Sequence, residues 1–127
     1  ERTADLVAAA GAPLVIVHSV MGTDGYDTSG PDPLDCLASA KTLGECVVRP
    51  TLDKPVVDGF YDAIATARDD VATIDINPFA CPDAPTCLPM QGDVVVWKNQ
   101  NHYTGSFGIK IRNRIWSAIQ DTGLLWK

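Results

Sequence analysis

The sequence predicts an α/β domain, a mostly parallel sheet flanked by helices in three layers. Three observations carry that expectation. The stretches "APLVIV" and "VATIDI" are apolar runs without alternation, as strands covered on both faces require. Between them, Lys54 to Asp70 has helical periodicity. A third run, Val94 to Trp97, is followed at once by another helical segment. Helices alternating with strongly apolar strands mark a layered α/β architecture.

Taken in order, Thr3 to Ala10 is helical in composition and closes on Gly11, a residue suited to the left-handed position after a helix. Ala12 to Ser19 is the first strand. The stretch "MGTDGYDTSGPDPLDC" is dense in Gly, Pro and Asp and forms a long loop. Such loops in compact domains are usually functional or tied down. Leu34 to Ala40 is expected as a short helix. Asp53 is placed to cap the Lys54–Asp70 helix, with Pro55 near its start. Val57, Phe60, Ile64 and Val71 recur at spacings of three, four and seven, which predicts one buried face. Val71 to Ile76 is the second strand. "NPFACPDAPTCLPMQGD" is a second long loop, and Val94 to Trp97 the third strand. Thr104 to Gln120 is the last helix, with Phe107, Ile111, Ile115, Ala118 and Ile119 as its buried stripe. Lys110, Arg112, Asn113 and Gln120 serve its wet side, and Gly123 ends it. Three strands make a narrow sheet. Further strands are therefore expected before Glu1, with 1–127 as the distal portion of a single domain.

Composition narrows the function. A chain of 127 residues makes one domain, and with 46% hydrophobic and 20% charged residues it can bury a real core. Ten basic against sixteen acidic residues give a net charge of −6, with no Lys/Arg run. Nucleic acid is excluded as a partner on electrostatic grounds. No stretch approaches the ~18–20 apolar residues of a membrane span. Nothing calls for a cofactor.

The four cysteines lie in the Pro/Gly/Asp-rich loops. Cys36 and Cys46 enclose nine residues, Cys81 and Cys87 five. Four cysteines allow three pairings, and the two local bridges are the simplest because short loops close easily. A zinc site with His18 or His102 is the rival reading, but no CxxC is present and the spacings match no finger or ribbon. Disulfides imply an oxidising compartment, secreted, periplasmic or at the cell surface.

In layered α/β domains ligands bind beyond the carboxyl ends of the strands. His18 and Ser19, the loop after Ile76, and Asn99 to His102 all fall at such ends, on a rim shared with both cysteine loops. For a lone His such as His102, capping a helix or satisfying a turn is the plainer role. Asn99 can likewise be a turn residue that tolerates left-handed geometry.

The stretch "FACPDAPTCLPMQGDVVVWKNQNHYTGSFG" resembles the C-terminal block of SGNH-type domains, more narrowly those fused to bacterial acyltransferase-three membrane proteins that O-acetylate the cell envelope. In that block a Cys-containing loop precedes a Gly, an apolar strand, an acid, a His and a Thr. Here these stand as Gly92, Val94, Val96, Trp97, Asn99, His102 and Thr104. "DPLDC" and "IDINPFAC" also fit, and the resemblance runs from about Ala8 to Ala118.

The resemblance implies an SGNH/flavodoxin-like fold and acyl transfer through a Ser nucleophile with His102 as base. An oxyanion hole would be built from the Ser backbone, a Gly and an Asn. It also implies an acylated sugar or acyl donor as partner, and a transmembrane acyltransferase domain in the full-length protein on the extracytoplasmic side. Two departures stand out. The Gly-Asp-Ser nucleophile motif and the Gly and Asn blocks are absent, and Ser19 lacks the Gly-Asp before it, so this portion alone is expected to be inactive. The family's acid is Asn99 here, which leaves a Ser-His dyad, a weak enzyme, or a non-catalytic carbohydrate-binding or scaffold domain with a degenerate triad.

Overall fold

The computed structural model describes residues 2–21, 28–29, 32–50, 52–99 and 101–126. Part of the long Gly/Pro/Asp-rich loop expected after Val20 lies outside them. The chain is a mixed α/β protein. In order, α1 is Arg2–Ala9, β1 Leu14–Val17, β2 Thr28–Ser29, α2 Pro33–Ser39, β3 Arg49–Pro50, α3 Val56–Ala67, β4 Val71–Ile74, α4 Asn77–Ala80, β5 Met90–Gln91, β6 Val94–Val95, β7 Trp97–Asn99, β8 His102–Tyr103 and α5 Gly105–Asp121. Short 3₁₀ turns occupy Leu43–Cys46 and Leu124–Trp126. α1 stops at Gly11, whose φ of 71° lies in the region only glycine enters without cost.

β1 and β4 pair in parallel, Leu14 opposite Val71 through Val17 opposite Ile74, but β1 is only half-buried, with Val17 exposed, and is not covered on both faces as expected. α3 packs on β4 and α1 on β1. Ala4, Ile64 and Val71 form a small core there, with Leu14, Ile16 and Ala65 packed around it.

The expected third parallel strand does not join this pair. The run Val94 to Trp97 is divided between two antiparallel hairpins. β6 pairs with β5 across Gly92-Asp93, with Gly92 at φ 63°, which suits a two-residue turn led by glycine. β7 pairs with β8, Trp97 opposite Tyr103 and Asn99 opposite His102. Between them Val96 donates its N–H to Pro89 O at 2.9 Å and accepts from Thr104 N at 2.9 Å. The run is apolar for a different reason. Val96 and Trp97 are fully buried in the main core with Met21, Val48, Ala80, Cys81, Cys87, Phe107 and Ile111. An apolar run of four residues satisfies either a parallel strand or a hairpin pressed into a core, and periodicity does not separate them. α5 accordingly packs on β6 and this core, its stripe Phe107 and Ile111 buried as expected.

Both local disulfides are formed, Cys36–Cys46 and Cys81–Cys87. They are part of the core rather than staples on its rim: Cys46, Cys81 and Cys87 are buried, and Val48 and Cys87 exchange N–H···O bonds of 2.9 Å that join the two loops. Two disulfides point to an oxidising, extracytoplasmic environment. Among the described residues no helix is long and apolar enough to cross a membrane.

α3 differs from expectation in two ways. Its cap position is held by Pro55 without a side-chain bond, so Asp53 does not cap it. Its buried residues are Asp58 and Ile64, while Val57 and Phe60 face solvent and Val56 is 92% exposed. Asp58 accepts hydrogen bonds from Ser19 at the end of β1, and Asp62 Oδ1 lies 2.8 Å from His18 Nε2, so the two carboxylates take the face turned to β1.

Candidate functional site

Asn99 closes β7 and His102 opens β8, and the antiparallel register sets them opposite one another. His102 Nδ1 lies 2.9 Å from Asn99 Oδ1. The backbone N–H of Asn101 donates to the same oxygen at 2.9 Å. A backbone N–H can only donate, so the atom facing it must be the amide oxygen. That fixes the imidazole as well. Nδ1 must carry a proton and donate, and in the neutral ring the lone pair is then on Nε2. His102 is exposed, and Thr104, two residues on, caps α5 by accepting from Phe107 N at 3.1 Å. His102 itself is not the cap. The pair can orient a base toward a bound group without contributing a counter-charge.

The ends of β1 and β4 form a second polar cluster. His18 Nε2 is 2.8 Å from Asp62 Oδ1, which also accepts from Thr73 Oγ1 at 2.8 Å; Asp62 Oδ2 accepts from Lys54 Nζ at 2.5 Å. The Lys54 ammonium, chiefly, and the Thr73 and His18 bonds hold the Asp62 carboxyl far below the ordinary range, against its partial desolvation. Ser19 donates both its N–H and its hydroxyl to Asp58 Oδ1 at 3.0 Å. Asp58 is 1% exposed and sits in the first turn of α3, where the helix dipole favours a carboxylate. Ser19 and His18 are thus each bound to a different carboxylate of α3, and Ser19 has no base placed like His102.

Asn77 ties the two clusters together. It is 1% exposed. Its Oδ1 accepts from Met21 N at 2.8 Å and from Tyr103 Oη at 2.7 Å, and its Nδ2 donates to Ser19 O at 2.8 Å. One amide fixes the exit of β1 to the strand that carries His102. The three strand ends do not share one parallel sheet, as expected, but Asn77 links them.

Two grooves of about 340 and 350 Å³ lie elsewhere, one lined by Gly11, Pro13 and Asp70, the other by Phe60, Ala63 and Arg68. Neither is lined by His102 or Asn99, so the pair is not found in either groove. The four cysteines are all in disulfides, and no cluster of His, Cys, Asp or Glu able to hold a metal occurs among the described residues.

Asp58, Asp62 and Asn77 were missed by sequence reasoning. The spacing of Asp58 and Asp62, one helical turn, was the available signal, since it puts two carboxylates on one face. No family model matches the chain, and no curated protein or solved structure gives a significant match.

Proposed function

We propose that His102 is the general base of a Ser-His acyl-transfer site in an extracytoplasmic domain of SGNH type. The reaction moves an acyl group, most simply acetyl, to or from a cell-envelope polysaccharide or glycolipid. In this reading the chain is the distal portion of a three-layer, flavodoxin-like domain. The serine and oxyanion groups come from the sequence before it, and a membrane-embedded acyltransferase domain works beside it. The observation that supports the reading is the double acceptor at Asn99 Oδ1, which engages His102 through Nδ1 and leaves Nε2 for a proton from serine.

The chemistry follows from that tautomer. Nε2 takes the serine proton as the serine oxygen bonds to the acyl carbon, then returns it to the departing alcohol oxygen. The acceptor hydroxyl next loses its proton to Nε2 and attacks the acyl-serine, and the ring gives that proton back to serine. An Asp-to-Asn change in a triad is costly largely because the amide favours the wrong tautomer. The Asn101 N–H removes that part of the cost by holding the oxygen toward the ring. What is lost is the charge, worth about 1 kcal/mol at 4 Å in water.

Acyl transfer by the full-length protein tests this. His102→Ala should lower the rate by about 10²–10⁴-fold with thermal melting unchanged. Asn99→Asp should raise it by about five- to ten-fold. An unchanged rate in His102→Ala would exclude the base. Asn99 itself favours one other reading, a non-catalytic carbohydrate-binding or scaffold domain. Glycan binding that survives His102→Ala, without turnover in the parent, would support it.

A further inference from the structure

We propose that the outer edge of β1 takes a further β-strand, an extended apolar segment of the same polypeptide that runs parallel to β1. The proposal rests on the reading of this chain as the distal portion of a domain, and not on the chemistry assigned to His102. The Leu14 N–H donates to Asp70 O and the His18 N–H to Ile74 O, both at 2.9 Å. In a parallel pair, alternate residues of a strand bond to the same neighbour, so Leu14, Ile16 and His18 face β4. The N–H and C=O groups of Val15 and Val17 point the other way. Among the described residues β1 has no neighbouring strand on that side, and Val15 and Val17 make no hydrogen bond across it.

Those groups decide what can cover the edge. Two donors and two acceptors recur at every second residue, about 6.6 Å apart. An extended backbone offers donors and acceptors at the same repeat, whereas a helix uses its own internally. The ladder is bounded at both ends. Pro13 has no N–H, and the Ser19 N–H and C=O are taken by Asp58 and Asn77. A partner strand therefore finds its donors at Val15 and Val17 alone.

The edge also lacks the devices that keep a strand single. Native edge strands carry charges, prolines or bulges. Leu14–Val17 has none of these, and its register with β4 runs without a shift. Its composition is that of an interior strand. A strand with one wet face alternates, whereas an unbroken run of Val, Ile and Leu marks a parallel strand covered on both faces. Yet β1 is half-buried and Val17 is 45% exposed, while β4 is buried at Val71 and Ile74. The mismatch lies on β1 and not on β4. A parallel strand beside Val15 and Val17 removes it and continues an all-parallel sheet.

Hydrogen exchange read residue by residue in the full-length protein tests the proposal. The amides of Val15 and Val17 should exchange as slowly as those of Leu14 and His18, which β4 holds, and their rates should not change with protein concentration. Val56 opens α3, where N–H groups have no helical partner, and gives the rate of a free amide. Val15 and Val17 should be slower than Val56 by about 10²-fold or more. Exchange of either at the Val56 rate would overturn the proposal. So would protection that is lost on dilution, which would assign the edge to a second copy of the chain. Exchange reads the pairing alone, so the result is separate from whether His102 proves to be the base.

Discussion

Replacing Asn77 by Ala should destabilise the fold more than any exposed substitution, and the size of the loss can be worked from its bonds. The side chain makes three hydrogen bonds, from Met21 N, from Tyr103 Oη and to Ser19 O. Each contributes about 1 kcal/mol net. Met21 is 6% exposed, so its N–H would be left in the core without a partner and the full desolvation penalty applies there. Tyr103 and Ser19 are half-buried and can recover water. The expected loss is about 3 kcal/mol, a large share of the ~5–15 kcal/mol that holds a domain of this kind. Tyr103→Phe removes one of the three bonds and keeps the ring between Trp97 and Phe107, at 5.0 and 5.4 Å centroid distances. It should cost about 1 kcal/mol. Urea denaturation with disulfides intact measures both. A loss below about 1 kcal/mol for Asn77→Ala, at unchanged denaturant slope, would refute the view that this amide holds the strand ends together.

Acid should weaken the fold through Asp62. Its carboxyl is depressed in the folded state, so its contribution is present above the ordinary carboxylate pKa of about 4 and is lost as pH falls below it. Urea midpoints followed from pH 6 to pH 3 should fall less steeply in Asp62→Asn than in the parent, and added salt should narrow the difference. On α3, Phe60→Ser should change stability by no more than about 0.5 kcal/mol, whereas Ile64→Ala should cost about 2–4 kcal/mol. Equal losses would mean that the helix presents the Val57 and Phe60 face inward after all.

The parts of the fold visible in the sequence are those set by local rules. α1 ends at Gly11, β1 and β4 are unalternating and pair in parallel, and α5 buries Phe107 and Ile111 of the stripe its spacing marks, with Ile115, Ala118 and Ile119 half-buried. The parts that were not visible depend on competition. Val94 to Trp97 has the composition of a buried parallel strand, but β6 pairs back on β5 across Gly92-Asp93 and β7 pairs antiparallel with β8. α3 has the periodicity to bury Val57 and Phe60. In the structure the face that meets β1 carries Asp58 and Asp62 instead, and their partners Ser19 and His18 are too distant in sequence for periodicity to reveal.

The same distinction separates the two polar clusters. Asn99 and His102 are three residues apart in one turn, so their meeting needs no knowledge of the rest of the chain. His18 with Asp62, Ser19 with Asp58 and Met21 with Asn77 are separated by 44, 39 and 56 residues, and they meet only through the β1–β4 register and the rotation of α3. The Asn101 N–H is the detail that changes the chemistry. In the proposed reading, Asn99 stands where a triad would have its acid. In place, its oxygen is pinned toward His102 by a donor that cannot reverse, so the loss of the carboxylate does not bring the loss of the tautomer. A neutral orienter of this kind adds no counter-charge beside the ring. His102→Ala decides whether the proposed reaction runs through the ring, and what Asn99→Asp adds to the rate measures the missing counter-charge.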